Sequence, residues 1–365
     1  MCIWNFAMTK YSIKAMRIRK IYFLCLLLLV WSCEKDNQDI ITSAGNISSA
    51  GFLSFSTHGQ TLPTAINSSL KRIRFEVDRD VDVTKLVPRF DVPDGCTVLV
   101  NGILQLSGSS KVDFSQKVTY ELKDLNNKAS RWEVSAVPIK CKILIDASHD
   151  GGVWWFPQST LTGFDPNKWH QGQPFAELLR KKGFEVDELG RGPELTEEMF
   201  FGYYIVIRAN GFEKYTSKEM EVYGNIISRP MNMVFFTDHK KYDPVDEVGY
   251  LLGLNFEGIA YGKITNLKPH LITRSIKSID YIAGSVLTNL DQNPDIEVLG
   301  WLGENDYADL NFNGIKDSNE PLAPPVMGIL NLPKSHVFFI GDMNGLQVMP
   351  QPFIDNLITW MGTGF

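Results

Sequence analysis

The hydrophobic pattern changes character near residue 141, and that change constrains the fold more than any single motif. From 51 to 140, short runs alternate apolar and polar residues, the period of strands buried on one face. Arg72-Ile73-Arg74-Phe75-Glu76-Val77 is the strictest of them; Gly51 to Ser56, Leu86 to Phe90, Thr97 to Val100, Val118 to Leu122 and Arg131 to Val137 follow the same habit. Turn residues divide the runs at Pro93-Asp94-Gly95, Asn101-Gly102 and Asn126-Asn127. Short strands at a spacing of roughly 8–12 residues, with no helical stripe between them, predict a small antiparallel β-sandwich.

After 141 the runs become continuous and helices intervene. Lys142 to Asp146 reads as a strand covered on both faces. Further strands are predicted at Phe184 to Val186, Tyr204 to Ile207, Met231 to Phe236 and Val337 to Ile340. Helices are predicted over Pro174 to Lys182, from Thr196, from a Ser217 cap to about Ile227, over Val245 to Leu252 and over Pro352 to Met361. The fold class that follows is multidomain: an all-β, immunoglobulin-like sandwich over 51–140, then a doubly wound, mainly parallel α/β domain over 141–365.

In a doubly wound sheet, ligands bind beyond the carboxyl ends of the strands. The residues there are His149, Asp150, Trp154 and Trp155, then Trp169 and His170, Arg208 and Asn210, Asp238 and His239, and Asp342 and Asn344. Turn and cap chemistry accounts for the glycines and for some Asp and Asn. It does not account for three tryptophans, whose flat indole faces suit sugar stacking while Asp, Asn, Arg and His bridge hydroxyls. These twelve residues are the candidate ligand-binding rim.

The N-terminus carries a different kind of signal. Arg17-Ile18-Arg19-Lys20 precedes an apolar run from Ile21 to Trp31, the small Ser32 and then Cys33. That order predicts a secretory signal peptide over 1–32, with Met16 the more natural start and 1–15 an upstream extension. The apolar run is far short of the ~20 residues that span a bilayer. Val30-Trp31-Ser32-Cys33 resembles the lipobox of bacterial lipoproteins, which implies lipid on Cys33 and membrane attachment through that anchor. Glu34 to Asp39 is similar to the charged export signal of Bacteroidota surface lipoproteins, which implies the outer face of the outer membrane. Residues 33–50 read as a lipidated, flexible tether.

A formal net charge of −6 and the lack of a basic patch with interleaved aromatics argue against nucleic acid as a partner. Of five cysteines, only Cys96 and Cys141 lie beyond the leader and Cys33, and they either pair once or remain two buried thiols.

Residues 51–140 also resemble the Ig-like modules that open many Bacteroidota surface lipoproteins, on the alternating strand, Asp82-Val83-Thr84-Lys85-Leu86-Val87-Pro88, Val118-Thr119-Tyr120 and Trp132-Glu133-Val134. The resemblance implies a spacer. By its alternation, 141–365 resembles the class I glutamine-amidotransferase-like (and flavodoxin-like) folds. The Gly-x-Cys-x-Gly elbow that carries the nucleophile there is missing: Cys141 precedes its strand, and Thr237-Asp238-His239 follows Phe236 instead. No Gly-x-Ser-x-Gly elbow, P-loop or dinucleotide fingerprint occurs either, so the expectation leans away from an enzyme.

Asp309 to Glu320 fits D-x-[DN]-x-[DN]-G-x5-E. Oxygens of Asp309, Asn311, Asn313, the Ile315 carbonyl, Asp317 and Glu320 suit a structural Ca²⁺, and Gly314 suits the turn. Pro321, Pro324 and Pro325 exclude a helix after the loop. It resembles the Asp/Asn-rich calcium loops of thrombospondin-type and bacterial surface proteins.

Three functions follow. The first is a non-catalytic surface lipoprotein that binds a polysaccharide or oligosaccharide, similar to the accessory lipoproteins of Bacteroidota polysaccharide utilisation, with an outer-membrane transport complex as a further partner. The second is a carbohydrate hydrolase whose acid/base pair comes from Asp150, Asp238 and Asp342, tuned by His149 or His239. The third is a scaffold module. Solvent-facing tryptophans favour binding; a buried carboxylate pair with a shifted pKa favours the enzyme.

Overall fold

Strict alternation decides the first sheet. Ile73, Phe75 and Val77 of Arg72–Val77 are fully buried on one side, and the polar residues between them face the other way. The strands are β1 (Ser54–Ser56), β2 (Ala65–Asn67), β3 (Arg72–Val77), β4 (Arg89–Asp91), β5 (Thr97–Val100), β6 (Ile103–Leu104), β7 (Val118–Lys123) and β8 (Ala129–Pro138). Six form one sheet in the order β2-β3-β8-β7-β5-β6, and β1 and β4 form a second, two-stranded one. Phe55 and Phe90 from the small sheet, with Phe52 just before it, pack on Phe75, Tyr120 and Trp132, Phe52 lying edge-on to Trp132 at 5.5 Å. Edge-to-face geometry suits the ring quadrupoles. The sandwich is therefore present, with one correction: β3 and β8 pair in parallel, so the sheet is mixed.

The second sheet has ten strands. Its parallel part comprises β9 (Lys140–Asp146), β10 (Glu185–Leu189), β11 (Tyr203–Arg208), β12 (Asn232–Phe236) and β18 (Ser335–Ile340), in the order β10-β9-β11-β12-β18. Helices α1 (Gln173–Lys181) and α4 (Gln351–Gly362) cover Ile143, Ile145, Ile205, Ile207 and Phe338 on one face. Helices α2 (Ser217–Ser228) and α3 (Glu247–Leu251) cover Leu144, Val206, Met233, Phe235 and Phe339 on the other. Burial on both faces explains why these strands read as continuous apolar runs. Thr216, not Ser217, caps α2, in a reciprocal capping box with Glu219. The helix expected from Thr196 is a single 3-10 turn, Glu197–Phe200.

The mainly parallel sheet is the larger correction. β17 (Pro325–Leu332), β15 (Ile296–Leu302), β13 (Phe256–Leu267) and β14 (Ile279–Leu287) extend it antiparallel from β18, and β16 (Ala308–Asp309) pairs off β13. Half of this protein's longest sheet thus comes from a stretch for which the sequence reading assigned only the calcium loop.

The computed structural model describes residues 51–365 apart from 151–153, 159–164, 166, 193, 212, 242–245, 333–334, 345–348 and 363–365. The leader, the tether and Cys33 lie outside the described residues. Residues 48–365 group as one compact unit. Cys96 and Cys141 are free thiols, both pushed above the usual thiol range by burial.

Candidate functional site at the strand-end rim

Five adjacent parallel strands end in Leu189, Asp146, Arg208, Phe236 and Ile340, level with one another to within one residue. The loops beyond them do bring the predicted residues to one rim. Most of that rim is closed by its own contacts.

At the β10 end, His170 is buried, with Nδ1 3.2 Å from the Trp154 carbonyl and Nε2 3.1 Å from Glu188 Oε2. Trp154 donates its indole N–H to the same Glu188 oxygen at 3.0 Å, and Arg180 holds the other oxygen at 2.9 Å. Burial pushes the Glu188 carboxyl up, but these three partners outweigh it and hold it below its ordinary range. Trp155 donates to the Ala147 carbonyl at 3.0 Å, with Arg191 over its ring. Trp154 and Trp155 belong to the core and are 1% and 0% exposed. The stacking role expected of them is corrected: Trp154 packs against Phe175, Trp155 lies under Arg191, and their N–H groups are spent on internal acceptors. Gly172 is the only residue type that fits beneath Trp154, since a Cβ there would sit 2.0 Å from the indole. Trp169 alone of the three is exposed, at 61%.

In the middle of the rim Arg208 is wholly buried. It donates to Asp246, to the Phe236 carbonyl at 2.6 Å and to Tyr215 Oη at 3.3 Å, and lies 4.4 Å over the Phe235 ring. Asp246 caps α3 and also accepts from Thr237 at 3.0 Å, with Lys240 at 3.5 Å. Burial would raise Asp246, yet Arg208 and Lys240 prevail and hold it at about 2. For Arg208, burial disfavours the cation, but Asp246 prevails and secures its charge. His149 stacks on Tyr215 at 4.0 Å, with Ser148 Oγ at 2.8 Å from Nδ1 and Glu219 3.4 Å from Nε2. Asp150 accepts from the Trp154 backbone at 2.5 Å, and Asn210 lies 3.5 Å from the Asp150 carbonyl. Arg208 is thus a structural hub and not an open sugar clamp.

The ends of β12 and β18 carry two neighbouring buried carboxyls, one of them with an unusual proton affinity. Asp238 and Asp342 are 3% and 0% exposed. Burial, and then the neighbouring Asp342 charge, raise the Asp238 carboxyl to about 7, against the opposing His239 backbone N–H. Asn344 Nδ2 lies 3.4 Å from Asp238, and the Ile282 backbone donates to Asp342 at 2.5 Å. Burial, helped by Lys240 and Lys241, keeps His239 below the usual histidine range. A carboxyl poised near neutrality beside a second carboxylate can hold or deliver a proton at working pH.

Sequence reading missed Glu188, Tyr215, Asp246 and Lys240, which partner the predicted residues. Asp246 had a legible signal: Asp directly before Glu247, opening a helical run, is an N-cap pattern.

In the 309–320 loop the acidic groups turn inward. Asp309 accepts from the backbone of Asn313 at 3.1 Å and Gly314 at 2.8 Å, and Glu320 from Leu310 at 2.8 Å and Asp317 at 2.9 Å. The Asn311 and Asn313 amides donate to Asp317 at 2.7 and 2.9 Å. The donor set is all oxygen, as a hard cation requires. Among the described residues, no group of three His, Cys, Asp or Glu side chains is gathered tightly enough to hold a metal.

Fold and rim together define a protein of two joined β-rich parts, the second with a helix-covered parallel segment whose strand ends form a buried polar network. Residues 52–136 match the family described as SGBP, N-terminal. Curated proteins give no match. Among solved structures, a protein described as a glycoside hydrolase of Bacteroides thetaiotaomicron is 23% identical with a TM-score of 0.23, over 27% of this chain and 27% of its own length. The mmIFT52 N-terminal domain is 15% identical with a TM-score of 0.43, over 61% of this chain and 98% of that domain. A thua-like protein of Parabacteroides merdae is 12% identical with a TM-score of 0.35, over 61% of this chain and 90% of that one. At these TM-scores none of the three bears on function.

Proposed function

We propose that this chain is a cell-surface glycan-binding accessory lipoprotein of a Bacteroidota-type envelope. The observation that carries the reading is the match of residues 52–136 to the SGBP N-terminal family, SGBP denoting surface glycan-binding protein. Lipid on Cys33 and the 33–50 tether supply the attachment, the β-sandwich serves as the spacer, and a transport complex is the natural recipient of bound glycan. Residues 141–365 are read as a doubly wound scaffold of amidotransferase-like or flavodoxin-like kind, supported by the parallel order β10-β9-β11-β12-β18, which is the 2-1-3-4-5 order of flavodoxin-like sheets. Without the cysteine elbow, that scaffold has no amidotransferase nucleophile. A calcium ion held by Asp309, Asn311, Asn313, the Ile315 carbonyl, Asp317 and Glu320 would require Asp309 and Glu320 to turn from the backbone N–H groups they now accept from, and would then brace the loop between β16 and β17. Cells displaying the chain should retain fluorescently labelled polysaccharide, and cells expressing Cys33→Ala should lose it from their surface. Retention by neither would end the reading.

A carboxylate-dependent hydrolase is the second reading, favoured by the buried Asp238–Asp342 pair and the raised Asp238 carboxyl. It predicts release of reducing ends from a carbohydrate, abolished in both Asp238→Asn and Asp342→Asn. Binding without any release would sink it.

A further inference from the structure

The rim is rich in charge and largely closed, and the sandwich offers exposed aliphatics at Ile103, Leu104 and Leu106 with nothing to specify an occupant. A third region has a different chemistry. Between the end of α3, the start of β13 and the turn after β14 lies a groove of about 520 Å³, lined by Tyr250, Gly253, Asn255, Asn289, Gln292 and Asn293. Its volume falls within the ~300–1,000 Å³ of small-molecule sites.

Five of these residues have a defined part. Tyr250 is 77% exposed, so its ring is an unspent platform, unlike Trp154 and Trp155. Asn289 Oδ1 accepts from the Asn255 backbone at 2.9 Å while its Nδ2 donates to the Gly253 carbonyl at 2.9 Å. Asn293 Nδ2 donates to the same carbonyl at 3.2 Å and to the Leu252 carbonyl at 3.4 Å, and its Oδ1 accepts from the Asp295 backbone at 3.0 Å. Asn255 Nδ2 is fixed by Thr288 and Glu257 at 2.9 and 2.7 Å. Gly253, at φ +69°, lets Asn293 lie against the chain; a Cβ would sit 2.6 Å from the Asn293 amide. A primary amide has two donors and two acceptor sites, so anchoring one of each still leaves a donor and an acceptor on Asn289, while Asn293, with both donors engaged, keeps an acceptor. Those groups are held in place before any ligand arrives, which lowers the entropy cost of binding.

The lining carries no charged side chain, and Glu257, against Asn255, makes its margin negative. Such a surface has no counter-charge for an anionic ligand. Paired donors and acceptors beside an exposed ring match vicinal hydroxyls on an apolar sugar face. We infer that the Tyr250–Asn289–Asn293 groove is a binding site for a neutral, hydroxyl-rich saccharide. This rests on the glycan-binding reading and moves the site from the rim to this groove.

Affinity electrophoresis of residues 34–365 tests it, in gels containing amylopectin, mixed-linkage β-glucan, β-1,4-mannan, xylan or the anionic polygalacturonate. Variants Tyr250→Ala and Gln292→Ala change exposed side chains, and their melting temperatures are to be checked against wild type. The expected result is retardation of wild type by a neutral polymer, with affinity lowered about tenfold or more in Tyr250→Ala at unchanged melting temperature. Equal retardation of wild type and both variants overturns the groove and leaves the glycan-binding reading intact. Retardation by polygalacturonate alone overturns the neutral-ligand assignment. No retardation of wild type by any polymer overturns both.

Discussion

Glu76 of β3 and Arg229 at the end of α2 form an ion pair with no side-chain exposure on either partner, and it ties the sandwich to the helix-covered sheet. Glu76 also accepts from Thr61 Oγ1 at 2.6 Å and from the Gly202 backbone at 2.5 Å, and Arg229 donates to the carbonyls of Phe200 and Tyr203 at 3.1 and 3.0 Å. Both carboxylate oxygens and both terminal guanidinium nitrogens are thus engaged, which goes far towards the condition under which a buried pair is tolerated, while the Arg229 Nε–H has no acceptor among the described residues. Glu76→Ala strands the guanidinium and should cost about 3–5 kcal/mol by urea denaturation. Arg74→Ala removes a half-exposed contact to Glu198 and should cost about 0–1 kcal/mol. Equal effects of the two would mean that the buried pair does not couple the parts.

That relationship also shows what the sequence can and cannot convey. Alternation in Arg72–Val77 placed Ile73, Phe75 and Val77 in the core correctly, because period-two patterning reports which residues share a face. It could not reveal what lies against the other face. Arg72, Arg74 and Glu76 read as a solvated face, yet they meet Glu198 and Arg229, more than 120 residues later. The same limit hid β13 to β17, which need the edge of β18 to define them. At the rim, position was legible and accessibility was not. Trp154 follows a strand end as expected, but the Glu188 carboxylate that captures its N–H comes from another strand.

The raised Asp238 carboxyl gives a pH dependence with a definite sign. Its folded pKa of about 7 lies above the ordinary value of 3.8, so the folded state binds the proton more tightly than the unfolded one. Stability contributed by the protonated group is complete below pH ~4 and is lost as pH rises towards 7. Asp246 works in the opposite sense: held at about 2, it stabilises above its unfolded pKa and loses that contribution only as pH falls from about 4 to 2. Unfolding free energies between pH 4 and 8 should decline for wild type and decline less for Asp238→Asn. Parallel profiles would contradict the assignment.

Gly172→Ala should act through Trp154. The added methyl meets the indole, and overpacking of this kind costs about 1–3 kcal/mol. A lower melting temperature with altered tryptophan fluorescence is expected. An unchanged melting temperature would mean that Trp154 is not packed there.

Calcium should bind residues 34–365 at one site by titration calorimetry, raise the melting temperature, and bind at least about tenfold more weakly to Asp317→Asn. A flat wild-type titration would remove the ion from the account.

Lipidation is tested by labelled palmitate, which should enter the wild-type chain in a Gram-negative host and fail to enter Cys33→Ala. Equal labelling of both would exclude Cys33 as the anchor.

Saccharide binding is the central claim, and calorimetric titration of residues 34–365 with neutral gluco-, manno- and xylo-oligosaccharides tests it most directly. A saturable isotherm with one of these series, and no cleavage of the ligand afterwards, is the result predicted here. Flat isotherms throughout, or saccharide consumed during the titration, would contradict a non-catalytic glycan-binding protein.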